Sequence, residues 1–224
     1  METRNMIDCK NCLPRHYGLF CALKEQELDI LNQYKITQTY RKGDFIFREG
    51  ENPKGLYCTF SGVVKVFKTT ESGKEQILLL SQGSEMVGYR SFFSNEKYHA
   101  SAQAVSETTL CFIKKEGVQK VFKTSPELSF VFLKKVCEEL RQSEEKFTDL
   151  VDKTVEQRLA QFLKMIVGNV NCNNQLPLSR EEIASIIGAR PETVIRVFSD
   201  WKKQGFIATK AKSITILNPQ FLEQ

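Results

Sequence analysis

The sequence predicts an α+β fold: an N-terminal antiparallel β-roll of jelly-roll type, then a long helix, then a C-terminal winged helix-turn-helix. Three observations predict it. Between residues 41 and about 115, short runs of Phe, Ile, Val, Leu and Tyr alternate with polar turns, and glycines 43, 50, 62, 73 and 83 fall 7, 12, 11 and 10 apart. Short strands with turn signals at near-regular spacing read as a barrel or double-sheet roll. From Leu133 the positions Leu133, Val136, Leu140, Ser143, Phe147 and Leu150 are separated by 3, 4, 3, 4 and 3, a heptad seam. The stretch LSREEIASIIGARPETVIRVFSDWKKQGFI then reads helix, tight turn, helix.

The 224 residues suffice for one large domain or two small ones. Hydrophobic residues are 41% and charged residues 26%, as in soluble globular proteins. No apolar run approaches the length of a membrane span. The start, METRNMIDCKNC, has no apolar h-region, so the expected compartment is the cytoplasm, where thiols stay reduced. Seven cysteines, an odd number, suit a disulfide framework poorly.

The arm, residues 1–22, carries CKNCLPRHYGLFC, with Cys9, Cys12 and Cys21 ahead of anything that reads as folded. Such thiols could staple the arm, bind a metal, do redox chemistry or sense something. A thiol oxidoreductase needs its CxxC between a strand and a helix, with a lowered thiol pKa, and no strand precedes this one. His16 and His99 are too few and too scattered for catalysis, although His16 is a reserve ligand for zinc. The chain is therefore expected not to be an enzyme.

Residues 23–116 form the expected sensor roll. It is entered by a short amphipathic helix carrying Leu23, Leu28, Ile30 and Leu31, and HASAQAVSETTLCFI reads as a closing strand. Residues 117–152 read as a helical dimerisation region, with Ser143 the one polar residue of its seam. A regular 3,4 seam suits a partner helix; the alternative is a helix packed only on its own roll.

Residues 153–224 open on an amphipathic helix, VEQRLAQFLKMIV. Ser179 with Glu182 makes a capping-box pattern, Gly188 ends that helix and Pro191 starts the next. Ile183, Ile186 and Ile187, then Val194, Val197, Phe198 and Trp201, are the expected core, and ATKAKSITIL reads as a two-stranded wing. From Lys153 onward ten basic residues face six acidic ones, so four of the net +5 charges sit in this unit. Clustered positive charge on a helix-turn-helix points to double-stranded DNA. The second helix would enter the major groove N-terminus first, placing Arg190, Glu192, Thr193 and Arg196 at base edges. Arg bonds guanine bidentately and Glu accepts from cytosine. Ser179 and Arg180 suit phosphate. An ordinary surface ion pair on a protein-binding winged helix is the alternative.

The order of these parts resembles the CRP/FNR family of bacterial transcription regulators from about residue 23 to the end. The resemblance rests on KGDFIFREGENPKGLYCTFSGVVKVF, VEQRLAQF and LSREEIASIIGARPETVIRVF. It implies a cyclic-nucleotide-binding-like roll, a homodimer, a palindromic operator and work with RNA polymerase. Glu192 and Arg196 match the Glu and Arg of that family's recognition helix, while Ile195 stands where oxygen-sensing members usually have Ser. In the cyclic-AMP branch a Gly-Glu and an Arg-Ser pair hold the nucleotide. Here Tyr89 and Tyr98-His99 stand at those places, leaving Arg90 as the nearby anion partner.

The FNR branch has an arm with CxxC, a third Cys, and a fourth ligand in the roll. The resemblance thus implies Cys9, Cys12, Cys21 and Cys111 as ligands of a [4Fe–4S] cluster that reports oxygen or redox state. Tetrahedral zinc fits four thiolates equally well, and a thiol redox arm or a small ligand in the roll are further readings. The loop before the third Cys, LPRHYGLF, has eight residues and is longer than usual in that branch. Cys21 could then be a core residue at a helix start. Cys58 and Cys137 are expected to pack, and Cys172 to lie in an exposed loop.

Overall fold

The structure, a computed structural model, describes residues 7–12, 18–168, 178–210, 213–218 and 221. His16 and Cys172 lie outside the described residues. The chain divides into two compact units, residues 1–139 and 140–224.

The first unit opens with α1 (Glu25–Tyr34) and runs directly into β1 (Lys35–Tyr40). Then come β2 (Phe45–Phe47), β3 (Gly55–Ser61), β4 (Val63–Thr69), β5 (Glu75–Gln82) and β6 (Met86–Val87). Helix α2 (Tyr89–Ser94), β7 (Ser101–Ala104), β8 (Thr108–Lys114) and α3 (Lys115–Thr124) follow, and α4 (Pro126–Asp152) leaves the unit. The strands make two four-stranded sheets, ordered β1-β8-β3-β6 and β2-β7-β4-β5. Every pairing in them is antiparallel. This is the expected double-sheet roll.

Period-two alternation sorts the side chains of the first sheet onto two faces. Leu110 of β8 points between the sheets, into a core with Tyr40, Phe47, Val64, Val87 and Ala102. Ile113 of β8 and Leu56 of β3 point the other way. They pack under Leu19, Phe20, Leu23, Leu28, Leu31, Val118 and Leu128. The outer face of this sheet is thus roofed by the arm and the helices.

Three local readings are corrected. HASAQAVSETTLCFI is not one closing strand: β7 lies between β2 and β4, and β8 between β1 and β3. The chain changes sheets at Val105–Glu107, where Val105 N donates to Val63 O and the Thr108 hydroxyl donates to Ser106 O. The helical region is two helices, broken at Ser125 because Pro126 disfavours a helical residue before it. Helix α2 was unforeseen; Gly88 starts it at φ +85°. Of the turn glycines, Gly62 combines φ +85° with a close approach, since a Cβ there would meet Glu107 O at 2.4 Å.

The second unit takes the end of α4, then α5 (Val155–Gly168), α6 (Arg180–Ile187), α7 (Pro191–Lys203), and the wing strands β9 (Ile207–Lys210) and β10 (Ser213–Ile216). Its core is Leu159, Leu163, Ile183, Val194, Phe198, Trp201 and Ile207, all buried. Ile186 and Val197 are only half-buried, so each helix buries a narrower stripe than expected. Among the described residues no helix is long and apolar enough to cross a membrane.

Candidate metal centre and nucleic-acid interface

The arm is tied to the roll at its first cysteine. Cys9 N donates to Asn32 Oδ1 at 2.9 Å, and the Asn32 amide donates to Asp8 Oδ1 at 2.7 Å. Lys10 pairs with Asp29 at 2.8 Å. Lys35, buried at the start of β1, donates to Cys9 Sγ at 3.2 Å, to Asn32 Oδ1 at 2.6 Å and to the Ile7 carbonyl. These partners belong to α1 and β1, so Cys9 lies at the roofed outer face of the first sheet.

Cys111 lies on that face. On β1, Thr37 is its register neighbour, with the hydroxyl 3.9 Å from Cys111 Sγ. On β3, its neighbour is Cys58. Burial is the chief force pushing the Cys9, Cys58 and Cys111 thiols up, and it outweighs the lowering by Lys35 at Cys9. The charges of Cys9, Cys12 and Cys111 all push Cys58 further the same way. Among the described residues, no three His, Cys, Asp or Glu side chains converge tightly enough to hold a metal ion as they stand.

The other cysteines diverge from expectation. Cys21 sits on a 3-10 turn, Leu19–Ala22, and is exposed, so it is not a core residue. Leu19 and Phe20 take the buried places of that turn. Cys137 is also exposed on α4 and does not pack.

At the helix-turn-helix, the capping box forms as read. Ser179 Oγ accepts from Glu182 N at 3.1 Å, and Glu182 Oε2 accepts from Ser179 N at 2.8 Å. Gly188 closes α6 at φ +64°, and a Cβ there would strike Leu150 Cδ2 at 2.5 Å. Arg190 is the N-cap of α7, and Arg190, Glu192 and Arg196 are exposed along its first two turns, with Thr193 half-buried. Ile195, 51% exposed, joins them on the surface. Arg180 lies over the Phe198 ring at 4.0 Å and is partly buried, which lowers its pKa. Part of its guanidinium face is therefore given to packing α6 on α7.

Arg158 of α5 is a positioning residue the sequence reading missed. It donates to Lys153 O at 2.6 Å and Leu150 O at 3.5 Å, at the end of α4. It also donates to Ile187 O at 2.9 Å and Gly188 O at 3.3 Å, at the end of α6. One planar fork thus satisfies carbonyls that both helix ends leave open. Nothing in the sequence marks it beyond an Arg in an amphipathic helix.

The seam residues are largely bare. Leu133 is 57% exposed, Leu140 60%, Phe147 72% and Leu150 49%. Val136 is half-buried against the roll's outer core, and Ser143 is exposed. In the roll, a mainly apolar recess is lined by Tyr89, Arg90, Ser91, Tyr98 and His99 among others. Tyr98 stacks on Phe47 at 3.8 Å, and Arg90 is paired with Glu139 at 3.2 Å.

Residues 37–125 match the cyclic nucleotide-binding domain family, and residues 157–224 match the Crp-like helix-turn-helix domain family. The transcriptional activator protein Anr of Pseudomonas protegens is 30% identical, over 98% of this chain and 92% of the relative. The chain belongs to the CRP/FNR family of transcription regulators. The fumarate and nitrate reduction regulatory protein of Escherichia coli K12, also in this family, is 29% identical over 97% of this chain and 90% of its own length. Among solved structures, FixK2 of Bradyrhizobium japonicum aligns with a TM-score of 0.76 at 26% identity, covering 84% of this chain and 96% of FixK2. Members of the CRP/FNR family are DNA-binding transcription regulators and not enzymes, and α6 and α7 lie within the residues that match the helix-turn-helix domain.

Proposed function

We propose that this CRP/FNR regulator senses oxygen or redox state through an iron–sulfur cluster on its N-terminal cysteines, and that it works as a homodimer in the cytoplasm. The observation that carries the reading is the tied arm. Lys35 and Asn32 hold Cys9 at the face where Cys111 lies. The donor set fits: soft, partly buried thiols suit a [4Fe–4S] cluster, and they suit zinc as the alternative. The resemblance to the FNR branch gives the ligands as Cys9, Cys12, Cys21 and Cys111.

A bound cluster supplies an oxidisable bridge between arm and roll. The chain's own residues do the rest. Lys35, Asn32 and Asp29 hold the Cys9 end of the arm by polar contacts, and Leu19 and Phe20 hold its other end by burial in the outer core. The bare stripe of Leu133, Leu140, Phe147 and Leu150, with Val136 and Ser143 between, offers a partner helix an apolar seam. Pairing sets two α7 helices about one DNA turn, roughly 34 Å, apart on a palindromic operator. Arg190, Glu192, Thr193 and Arg196 then face base edges, while Ser179 and Arg180 border phosphate. Bound there, the dimer would act on RNA polymerase.

The test is anaerobic purification, with a visible spectrum and assays of iron, sulfide and zinc, followed by DNA binding with and without air. The expected protein is brown, holds about four iron per chain, bleaches in air and binds operator DNA less tightly afterwards. One zinc per colourless chain would make the arm a zinc or thiol device. A chain that stays colourless and metal-free after reconstitution with iron and sulfide ends the metal-sensor reading and turns attention to the recess in the roll.

A further inference from the structure

We infer that the thiolate set is Cys9, Cys12, Cys58 and Cys111, with Cys58 and not Cys21 as the fourth ligand. This rests on the reading that the arm holds a metal cluster, and it changes which residues hold it. The resemblance to the FNR branch points to the third cysteine of the arm, although the loop before it is longer than usual there. The fold points to a cysteine in the middle of the roll.

The first argument is register. Cys58 and Cys111 are direct partners on β3 and β8, and both strands are pinned on each side of the pair: Leu56 faces Ile113, and Thr59 faces Leu110. Directly opposed residues on one sheet face hold their Cβ atoms about 5 Å apart. Leu56 and Ile113, two residues away on the same face, are buried under the roof of arm and helices. The two thiols therefore project together towards the arm and away from the core between the sheets.

The second argument is where the arm lands. Cys9 and Cys58 pack against the same outer core cluster. Lys35 faces Ile113 across β1 and β8, one step along the face from the Thr37–Cys111 pair, and it reaches Cys9 Sγ. The tight turn in which Asn11 N donates to Asp8 O carries the chain on to Cys12. Cys12 follows that turn directly, three residues on from Cys9. The ammonium of Lys35 also offsets the negative charge of gathered thiolates, and hydrogen bonds to ligand sulfur commonly tune such sites.

The third argument removes the competitor. Cys21 is exposed on a turn whose two inward places belong to Leu19 and Phe20, both within the outer core. Rotating that turn to bring Cys21 to the face would lift those two side chains out of it. Cys58 instead donates to Ser84 O at 3.8 Å, a weak contact that a change of rotamer releases.

The decisive variant keeps the four proposed ligands and no other cysteine: Cys21→Ser, Cys137→Ser and Cys172→Ser together. Reconstituted anaerobically with iron and sulfide, it is expected to match the wild-type iron and sulfide content and visible spectrum. Adding Cys58→Ser to it should cut iron content at least tenfold. Circular dichroism of the metal-free forms checks that both fold. If the wild-type chain loads and the three-site variant does not, the inference is wrong and the sensor reading stands. Full loading after Cys58→Ser would also overturn it. Should Cys58→Ser unfold the roll, the three-site variant still decides, because it alters no residue of the described core. A wild-type chain that takes up no iron under these conditions ends the sensor reading and this inference with it.

Discussion

Glu139 shows how one half-buried side chain sets a pH response. Burial, with the charge of Glu85 beside it, pushes its carboxyl up to about 7, even with Arg90 at 3.2 Å and Lys135 at 3.3 Å. The ordinary value is 4.5, so the folded state binds this proton more tightly than the unfolded chain does. Above about 7 the folded state carries a charge that burial disfavours. As pH falls from about 7 towards 4.5 that penalty is relieved, and stability from this group rises. The Glu139→Gln variant lacks the titration. The melting temperature of the wild type minus that of the variant should therefore climb between pH 7 and 5; a flat difference would show that Glu139 is not strained. Glu139 also holds Arg90, the residue left nearby for an anion in the recess, so the sequence reading had no way to see that this cation is engaged. Cys58 teaches the same lesson. Its place in LYCTF is plain, but its cross-strand partner lies 53 positions away in the chain.

Among the elements, those with local signals were the most legible. Ser179 and Glu182 cap α6, Gly188 ends it and Pro191 starts α7, because caps and turns depend on residues three or four apart. Strand-like stretches were legible too, but their partners were not, since pairing is set by contacts far apart in sequence. Hence HASAQAVSETTLCFI was read as one strand although it serves both sheets. Arg158 belongs to the same class: its worth lies in carbonyls of two other helices. Replacing it with Lys keeps the charge but loses the planar fork. Arg158→Lys is expected to destabilise the DNA-binding unit by about 2 kcal/mol or more, the size of a charge-assisted hydrogen bond or two. Trp201, the chain's single tryptophan, is buried in that unit, where its indole donates to Glu156 at 2.7 Å, so its fluorescence reports the unit alone. An unchanged denaturation midpoint by that probe would rule the clamp out as a source of stability.

At the scale of the whole molecule, the exposed apolar stripe on α4 is the feature that the proposed dimer would cover. Fully burying a Leu or Phe side chain is worth about 1.5–3 kcal/mol, so Leu140 and Phe147 would supply a large share of such a dimer's free energy. Since both are exposed here, Leu140→Asp with Phe147→Asp should leave the fold intact. Sedimentation should show monomers. Binding to a two-half-site operator should weaken at least about 100-fold, while binding to one half-site changes little. Loss of folding, or an unchanged dimer, would contradict the seam.

By itself the sequence determined the roll, the long helix and the winged helix-turn-helix. Each rests on a short-range signal: turn spacing, heptad period or caps. Only the tertiary structure decided which cysteines meet, which sheet each strand joins, and which groups Arg90, Arg158 and Arg180 engage. Those outcomes depend on strand register and helix packing. The chemistry of residues near in sequence does not encode which distant strand will lie beside them.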